Sequence, residues 1–91
     1  MKEYYLYTFT STHGAIASEK LLDSFNVRMM PTPRAISTSC GMALSVSTSK
    51  FEDSLNFFKQ HTDLKPNEYD IYHIIDGDDP KSFKADLVSV D

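Results

Sequence analysis

The sequence has a single cysteine, Cys40, and no tryptophan. One thiol cannot form a disulfide within the chain, and it argues against a metal site built from thiolates. Three interpretations of Cys40 stay open: an inert buried residue, a nucleophile or a redox site. A lone thiol suits a reducing compartment, and the first residues lack the apolar segment of a signal peptide, so we expect a cytoplasmic protein.

Long apolar runs are also absent, which argues against a membrane protein. Basic residues are scarce, since 9 Lys and Arg stand against 13 Asp and Glu and give a net charge of −4. That sign is wrong for phosphate-backbone recognition, so no nucleic-acid partner is expected. A hydrophobic content of 41% and a charged content of 24% are those of a globular domain, and 91 residues suffice for one such domain.

Six secondary-structure elements follow from the residue patterns. We predict strands over residues 4–10, 27–30, 41–47 and 70–75, and a first helix over residues 13–25. A second helix is predicted to begin at a capping box formed by Ser49 and Glu52 and to end before Pro66. The inward faces of the two helices are expected to be Gly14, Ala17, Leu21, Leu22 and Phe25, and Phe51, Leu55, Phe58 and Thr62.

This order of elements predicts an α+β fold of the ferredoxin-like βαββαβ type. In this two-layer sandwich a four-stranded antiparallel sheet, with expected strand order 4-1-3-2, carries two helices on one face. We assign residues 1–76 to this domain and residues 77–91 to a C-terminal tail. An edge strand, a short helix and a disordered tail all stay open for those last residues.

The connection between the second and third predicted strands is unusually long for a hairpin and rich in hydroxyl side chains. In the predicted topology it lies beside the turn that follows the first strand. His13, Arg34 and the start of the first helix are therefore expected near Cys40, where they would hold a solvent-reachable thiolate. We expect the surrounding donors to bind the anionic group; they are Ser11, Thr12, Ser37, Ser39 and Gly41, with Gly41 allowing a close backbone approach. No metal or other cofactor is expected, because no ligand set has suitable spacing.

Two motifs resemble a known family. They are the segment Phe9–His13, with Ala15 and residues 19–22 after it, and the segment Pro31–Leu44, which contains Pro-Thr-Pro-Arg and Ser-Cys-Gly. Together they resemble the small bacterial domains called the putative selenium/sulfur carrier-like family, over about residues 4–76. The resemblance implies that the cysteine matching Cys40 carries sulfur or selenium as a persulfide or selenosulfide.

The leading hypothesis is therefore a carrier rather than a turnover enzyme, with sulfur or selenium donor and acceptor proteins as its partners. The alternative is a module that binds a small anion or another protein and in which the cysteine is incidental. A cysteine-dependent enzyme is a weaker option, because no carboxylate is placed to orient His13 as a base. Exposed sheet edges also leave pairing into a homodimer open.

Overall fold

The computed structural model describes residues 1–38 and 40–88. These residues form five strands, β1 (Lys2–Phe9), β2 (Arg28–Pro31), β3 (Met42–Ser47), β4 (Tyr69–Asp76) and β5 (Phe83–Leu87). Two α-helices, α1 (Thr12–Leu21) and α2 (Thr48–His61), follow β1 and β3 respectively. Single 3-10 turns occur at Asp23–Phe25, Pro66–Glu68 and Pro80–Ser82. None of the described helices is long and apolar enough to cross a membrane.

The strands form one antiparallel sheet with the order β2-β3-β1-β4-β5. The α+β class is confirmed, and the first four strands lie in the expected order. The expectation of a four-stranded sheet is wrong, because residues 83–87 add a fifth strand beside β4. A tight connection makes this possible: the Gly77 N–H donates to the Ser82 carbonyl at 3.4 Å and closes the β4–β5 hairpin. The final residues, 89–91, lie outside the described part of the chain.

The two faces of the sheet bury different clusters. Both helices pack on one face, where Tyr7, Leu44 and Phe58 belong to the larger buried cluster. On the opposite face, which we call the open face, Leu6 and Ile74 form a smaller cluster. Alternation along β1 explains the division, because successive side chains of a strand point to opposite faces.

Local residue chemistry explains where α1 begins and where the turn after it ends. Ser11 caps α1, with its Oγ accepting the Gly14 N–H at 3.1 Å. The α-helix ends at Leu21, earlier than predicted, and the chain leaves the following 3-10 turn at Asn26, which has a left-handed φ of 57°. The expected Ser49–Glu52 capping box is wrong, because α2 begins at Thr48 with Ser47 as its N-cap residue.

The inward face of α1 also differs from the prediction. Ala15, Ser18 and Leu22 are buried there, whereas Ala17 is exposed. The shorter helix ends one turn before Phe25, which is partly buried from the 3-10 turn instead. The residues that α1 buries, Gly14, Ala15 and Ser18, are small, so its backbone can approach the strands closely.

Candidate functional site

The turn after β1 and the loop after β2 meet at one end of the sheet. Because β1 and β2 both pair antiparallel with β3, they run in the same direction. Their following segments therefore leave the sheet on the same side. Among the described residues, two side-chain contacts join them: the Thr38 hydroxyl donates to the Phe9 carbonyl at 2.7 Å, and Thr12 Oγ1 lies 3.8 Å from Cys40 Sγ.

Cys40 is buried at this junction, with a relative exposure of 3%. Its sulfur accepts the backbone N–H of Met42 at 3.4 Å, and its thiol donates to the Met42 carbonyl at 3.5 Å. Thr12, the first residue of α1, supplies the third polar contact. The remaining surroundings are apolar, since Cys40 belongs to the same buried cluster as Phe9 and Leu44.

A thiol and an anionic sulfur would use different hydrogen bonds at this position. A thiol satisfies both backbone groups of Met42, because it donates to the carbonyl and accepts from the N–H. An anionic sulfur keeps the N–H and gains from a donating Thr12 hydroxyl, but it loses the bond to the carbonyl. The surroundings of Cys40 therefore offer hydrogen-bond partners to a thiol and already contain donors that a sulfur adduct requires.

The loop that precedes Cys40 is attached at several points. The Thr32 N–H donates to the Gly41 carbonyl at 2.9 Å, and the Thr32 hydroxyl donates to the Cys40 carbonyl at 3.3 Å. In its middle, Ile36 is 6% exposed and packs on the open face with Leu6 and Ile74. The loop thus connects the cysteine on the helix face to a hydrophobic anchor on the other face.

Two of the predicted site residues line other surfaces of the described structure. His13 is exposed and lines a cavity between α1 and the end of α2, together with His61. Arg34 is exposed and lines a cleft with Asp76 and Asp78. Within residues 1–38 and 40–88, no hydrogen bond or ion pair joins either side chain to Cys40.

The expectation of a solvent-reachable sulfur is therefore wrong, because Cys40 is buried, and neither Arg34 nor His13 is hydrogen-bonded to it among the described residues. The physical reason is the path of the loop. Ile36 is buried on the open face, and Arg34, two residues before it, lines the cleft beside the β4–β5 turn. Cys40 lies just before β3 and is buried on the helix face.

Of the predicted anion-binding residues, only some lie at the cysteine. Thr12 contacts the sulfur, and Ser11 is engaged as the cap of α1. Ser37 is exposed, and Ser39 lies outside the described residues. The close approach expected at Gly41 is not found among the described residues, because a Cβ added there would meet no atom within 4 Å.

Sequence reasoning missed the backbone of Met42 as the main partner of the sulfur. No sequence signal identifies it, because the direction of a backbone N–H depends on how the chain enters the strand. Thr32 was missed for the same reason. Its hydrogen bonds to the Gly41 and Cys40 carbonyls form only once the two ends of the β2–β3 loop lie side by side. Among the described residues, no group of three or more His, Cys, Asp or Glu side chains is arranged to hold a metal ion.

Comparison with known proteins adds one match. The family model described as "Putative Se/S carrier protein-like" matches residues 4–69, which include most of β1 and all of α1, β2, β3 and α2. No curated protein and no solved structure matches the chain.

Proposed function

Because this chain belongs to the putative Se/S carrier protein-like family, we propose that it carries a sulfur or selenium atom on Cys40. Its partners are then a protein that donates the atom and a protein that accepts it. The chain itself catalyses no net reaction. A free thiol is needed in each cycle, so we place this carrier in the cytoplasm, where thiols are kept reduced.

The proposed loading step is an exchange between the Cys40 thiolate and a persulfide on the donor protein. The Cys40 thiolate attacks the terminal sulfur of a donor persulfide, so a new S–S bond forms at Cys40 while the S–S bond of the donor breaks. The donor leaves as a thiolate and takes up the proton that Cys40 lost. The zero-valent sulfur moves with its oxidation state, so no external oxidant or reductant is needed. A donor selenosulfide reacts in the same way, and unloading is the same exchange with an acceptor thiol.

The contacts of the sulfur carry this proposal. The Met42 N–H at 3.4 Å and the Thr12 hydroxyl at 3.8 Å are donors that stabilise an anionic adduct. Thr12 is also the first residue of α1, whose N-terminal dipole favours negative charge. These groups come from two different elements and meet at the only cysteine in the sequence.

The burial of Cys40 adds a condition. Cys40 is only 3% exposed, so a donor protein cannot reach it and loading requires a local movement that exposes it. When the loop closes again, the same burial shields the adduct from solvent thiols. His13 follows Thr12 in α1, and Arg34 lies in the loop that ends at Cys40. We propose that these two exposed side chains act on the adduct while Cys40 is exposed.

The fold is compatible with this role but does not select it. We interpret the order β2-β3-β1-β4, with α1 and α2 on one face, as a ferredoxin-like arrangement to which β5 has been added. Folds of this kind host many unrelated functions. The argument therefore depends on the family and on the surroundings of Cys40.

A mass measurement tests the proposal. The protein is incubated with a cysteine desulfurase and cysteine, and its intact mass is recorded without reductant. We expect the wild type to gain the mass of one sulfur atom and Cys40→Ser to gain none. No adduct on the wild type, or an equal adduct on Cys40→Ser, would rule out a carrier function at Cys40.

A second candidate function is favoured by the same burial. Free cysteines often act as small apolar core residues, and Cys40 shares the buried cluster of Phe9 and Leu44. In that case the chain is an interaction or anion-binding module with an incidental thiol. The variant Cys40→Ala separates the two functions, because the module keeps its partner in a pull-down with this variant, whereas the carrier loses sulfur transfer.

A further inference from the structure

The sheet of the described residues has two edges, β2 on one side and β5 on the other. An edge strand presents unpaired N–H and C=O groups and can pair with another chain. Which edge can do so depends on the backbone groups that point outward. In an antiparallel ladder these alternate along the strand, so one known hydrogen bond fixes the pattern.

The β2 edge is a poor template for pairing. The Thr32 N–H bonds to Gly41, the residue directly opposite in the β2–β3 register. The alternation then directs the backbone groups of Met29 and Pro31 outward. Proline has no N–H, so one of these outward positions cannot donate. The strand is also only 4 residues long.

The β5 edge differs in its outward-pointing backbone donors. The Val88 N–H donates to the Ile71 carbonyl at 2.8 Å, and these residues are directly opposite in the β4–β5 register. The backbone groups of Lys84 and Asp86 therefore point toward β4. Those of Phe83, Ala85 and Leu87 point away from the sheet, and each of these residues has an N–H.

The side chains of β5 are arranged symmetrically about Ala85. One position away on either side are Lys84 and Asp86, which are both exposed and opposite in charge. Two positions away are Phe83, which is partly buried against the open-face cluster, and Leu87, which is 64% exposed. Leu87 is one of three large hydrophobic residues that the described structure leaves exposed.

We propose that two copies of this chain form a dimer by antiparallel pairing of their β5 strands, with the two-fold axis at Ala85. In this register Ala85 faces its own copy, and each outward N–H and C=O of β5 finds a partner. Lys84 lies opposite Asp86 of the second copy, and Phe83 lies opposite Leu87. The exposed Leu87 is thereby covered, and the two sheets join into one.

The charge pattern selects a second copy over another protein. A strand with like charges at these two positions would repel its own copy, whereas Lys84 and Asp86 attract each other twice across the axis. The interface is short, so we expect a reversible dimer with a dissociation constant on the order of 10 µM. This proposal does not depend on Cys40 and is independent of the carrier function.

Sedimentation equilibrium on the full chain tests the dimer. We expect Lys84→Glu to raise the dissociation constant about tenfold or more, because it places like charges opposite each other at both pairs. The double variant Lys84→Asp with Asp86→Lys reverses both charges and restores the attraction in the same register. We expect it to dimerise like the wild type.

A backbone variant gives a second, independent measurement. Ala85→Pro removes an N–H that points away from β4, so the fold is retained while pairing is lost. Circular dichroism checks that the variant stays folded. A dimer that persists in both Ala85→Pro and Lys84→Glu would overturn the proposed interface. A wild type that stays monomeric at about 1 mM would also overturn it and would show that Lys84 and Asp86 prevent edge pairing.

Discussion

The Thr12 hydroxyl lies 3.8 Å from Cys40 Sγ, which brings the first residue of α1 to the cysteine at the end of the β2–β3 loop. The two residues are 28 positions apart in the chain. They meet because β1 and β2 run in the same direction beside β3. Among the described residues, this contact links the helix directly to the sulfur.

Removal of the Thr12 hydroxyl should slow sulfur loading. Thr12→Val keeps the shape of the side chain but removes a donor that an anionic sulfur requires, so we expect a loading rate about five- to tenfold lower, from the loss of about 1 kcal/mol. Thr12→Ser retains the hydroxyl and serves as the control. Intact mass recorded at several times after desulfurase addition gives the rates. Equal rates for the two variants would show that the hydroxyl has no part in loading.

Release of the loop should expose Cys40. The hydrogen bond from Thr38 to the Phe9 carbonyl, at 2.7 Å, holds the loop to the end of β1. Thr38→Val removes it, so we expect alkylation of Cys40 to become about five- to tenfold faster under native conditions.

A matched variant controls for general destabilisation. Thr8 is also a threonine that donates to a backbone carbonyl, that of Asp70 at 3.3 Å, but it joins β1 to β4. Thr8→Val should leave the alkylation rate close to that of the wild type. If both variants accelerate alkylation equally, Cys40 is exposed only by global unfolding and the loop does not open locally.

The buried pair of Tyr7 and Ser54 should respond asymmetrically to mutation. The Ser54 hydroxyl donates to the Phe51 carbonyl at 2.8 Å, so the Tyr7 hydroxyl, 2.9 Å from Ser54 Oγ, must be the donor in their shared bond. Ser54→Ala leaves the buried Tyr7 hydroxyl unsatisfied and should cost about 2–3 kcal/mol of unfolding free energy. Tyr7→Phe leaves Ser54 bonded to Phe51 and should cost about 1 kcal/mol.

Urea unfolding of the two single variants and the double variant measures this asymmetry. We expect the double variant to be more stable than Ser54→Ala alone, because it contains no unsatisfied hydroxyl. A double variant whose loss equals the sum of the single losses would contradict the assigned direction of the bond.

Stability should fall at alkaline pH. Burial raises the pKa of Tyr7 to about 12; an ionised Tyr7 would accept a hydrogen bond from a reoriented Ser54 hydroxyl, and this contact offsets only part of the effect. The folded state thus favours the neutral phenol, whose contribution is complete below the unfolded value near 10 and is lost as pH rises from about 10 to 12. The total loss is about 3 kcal/mol.

The pKa of Tyr4 is raised as well, by burial and by the nearby Asp76. Tyr7→Phe should therefore reduce but not abolish the alkaline loss. Urea unfolding between pH 8 and about 11, compared for wild type and variant, provides the measurement. An identical pH dependence in both proteins would show that Tyr7 does not govern alkaline unfolding.

Gly77 should tolerate no side chain, in contrast to Gly41. A Cβ added at Gly77 would lie 2.3 Å from Ser82 Cβ across the β4–β5 hairpin, whereas one added at Gly41 would meet nothing within 4 Å among the described residues. Gly77→Ala should destabilise the protein by about 1–3 kcal/mol. Gly41→Ala should be close to neutral. Thermal unfolding compares the two, and equal midpoints would contradict the tight hairpin.

The sequence by itself determined the α+β class and the approximate positions of the first four strands and the two helices. These features follow from short-range patterns, because alternation and helical periodicity are properties of neighbouring residues. The element order also predicted that β1 and β2 run in the same direction. From this it followed that the first turn of α1 lies beside Cys40.

The tertiary structure alone decided which groups surround the sulfur. Ile36 is buried on the open face, and the nearby Arg34 lines the cleft beside the β4–β5 turn. The positive charge expected at Cys40 therefore lies in that cleft. The backbone of Met42 takes its place as the nearest donor. Weak alternation over residues 83–87 likewise could not distinguish a strand from a tail, because an edge strand is fixed by the ladder it joins. Burial and backbone direction depend on packing between distant segments, which no local pattern contains.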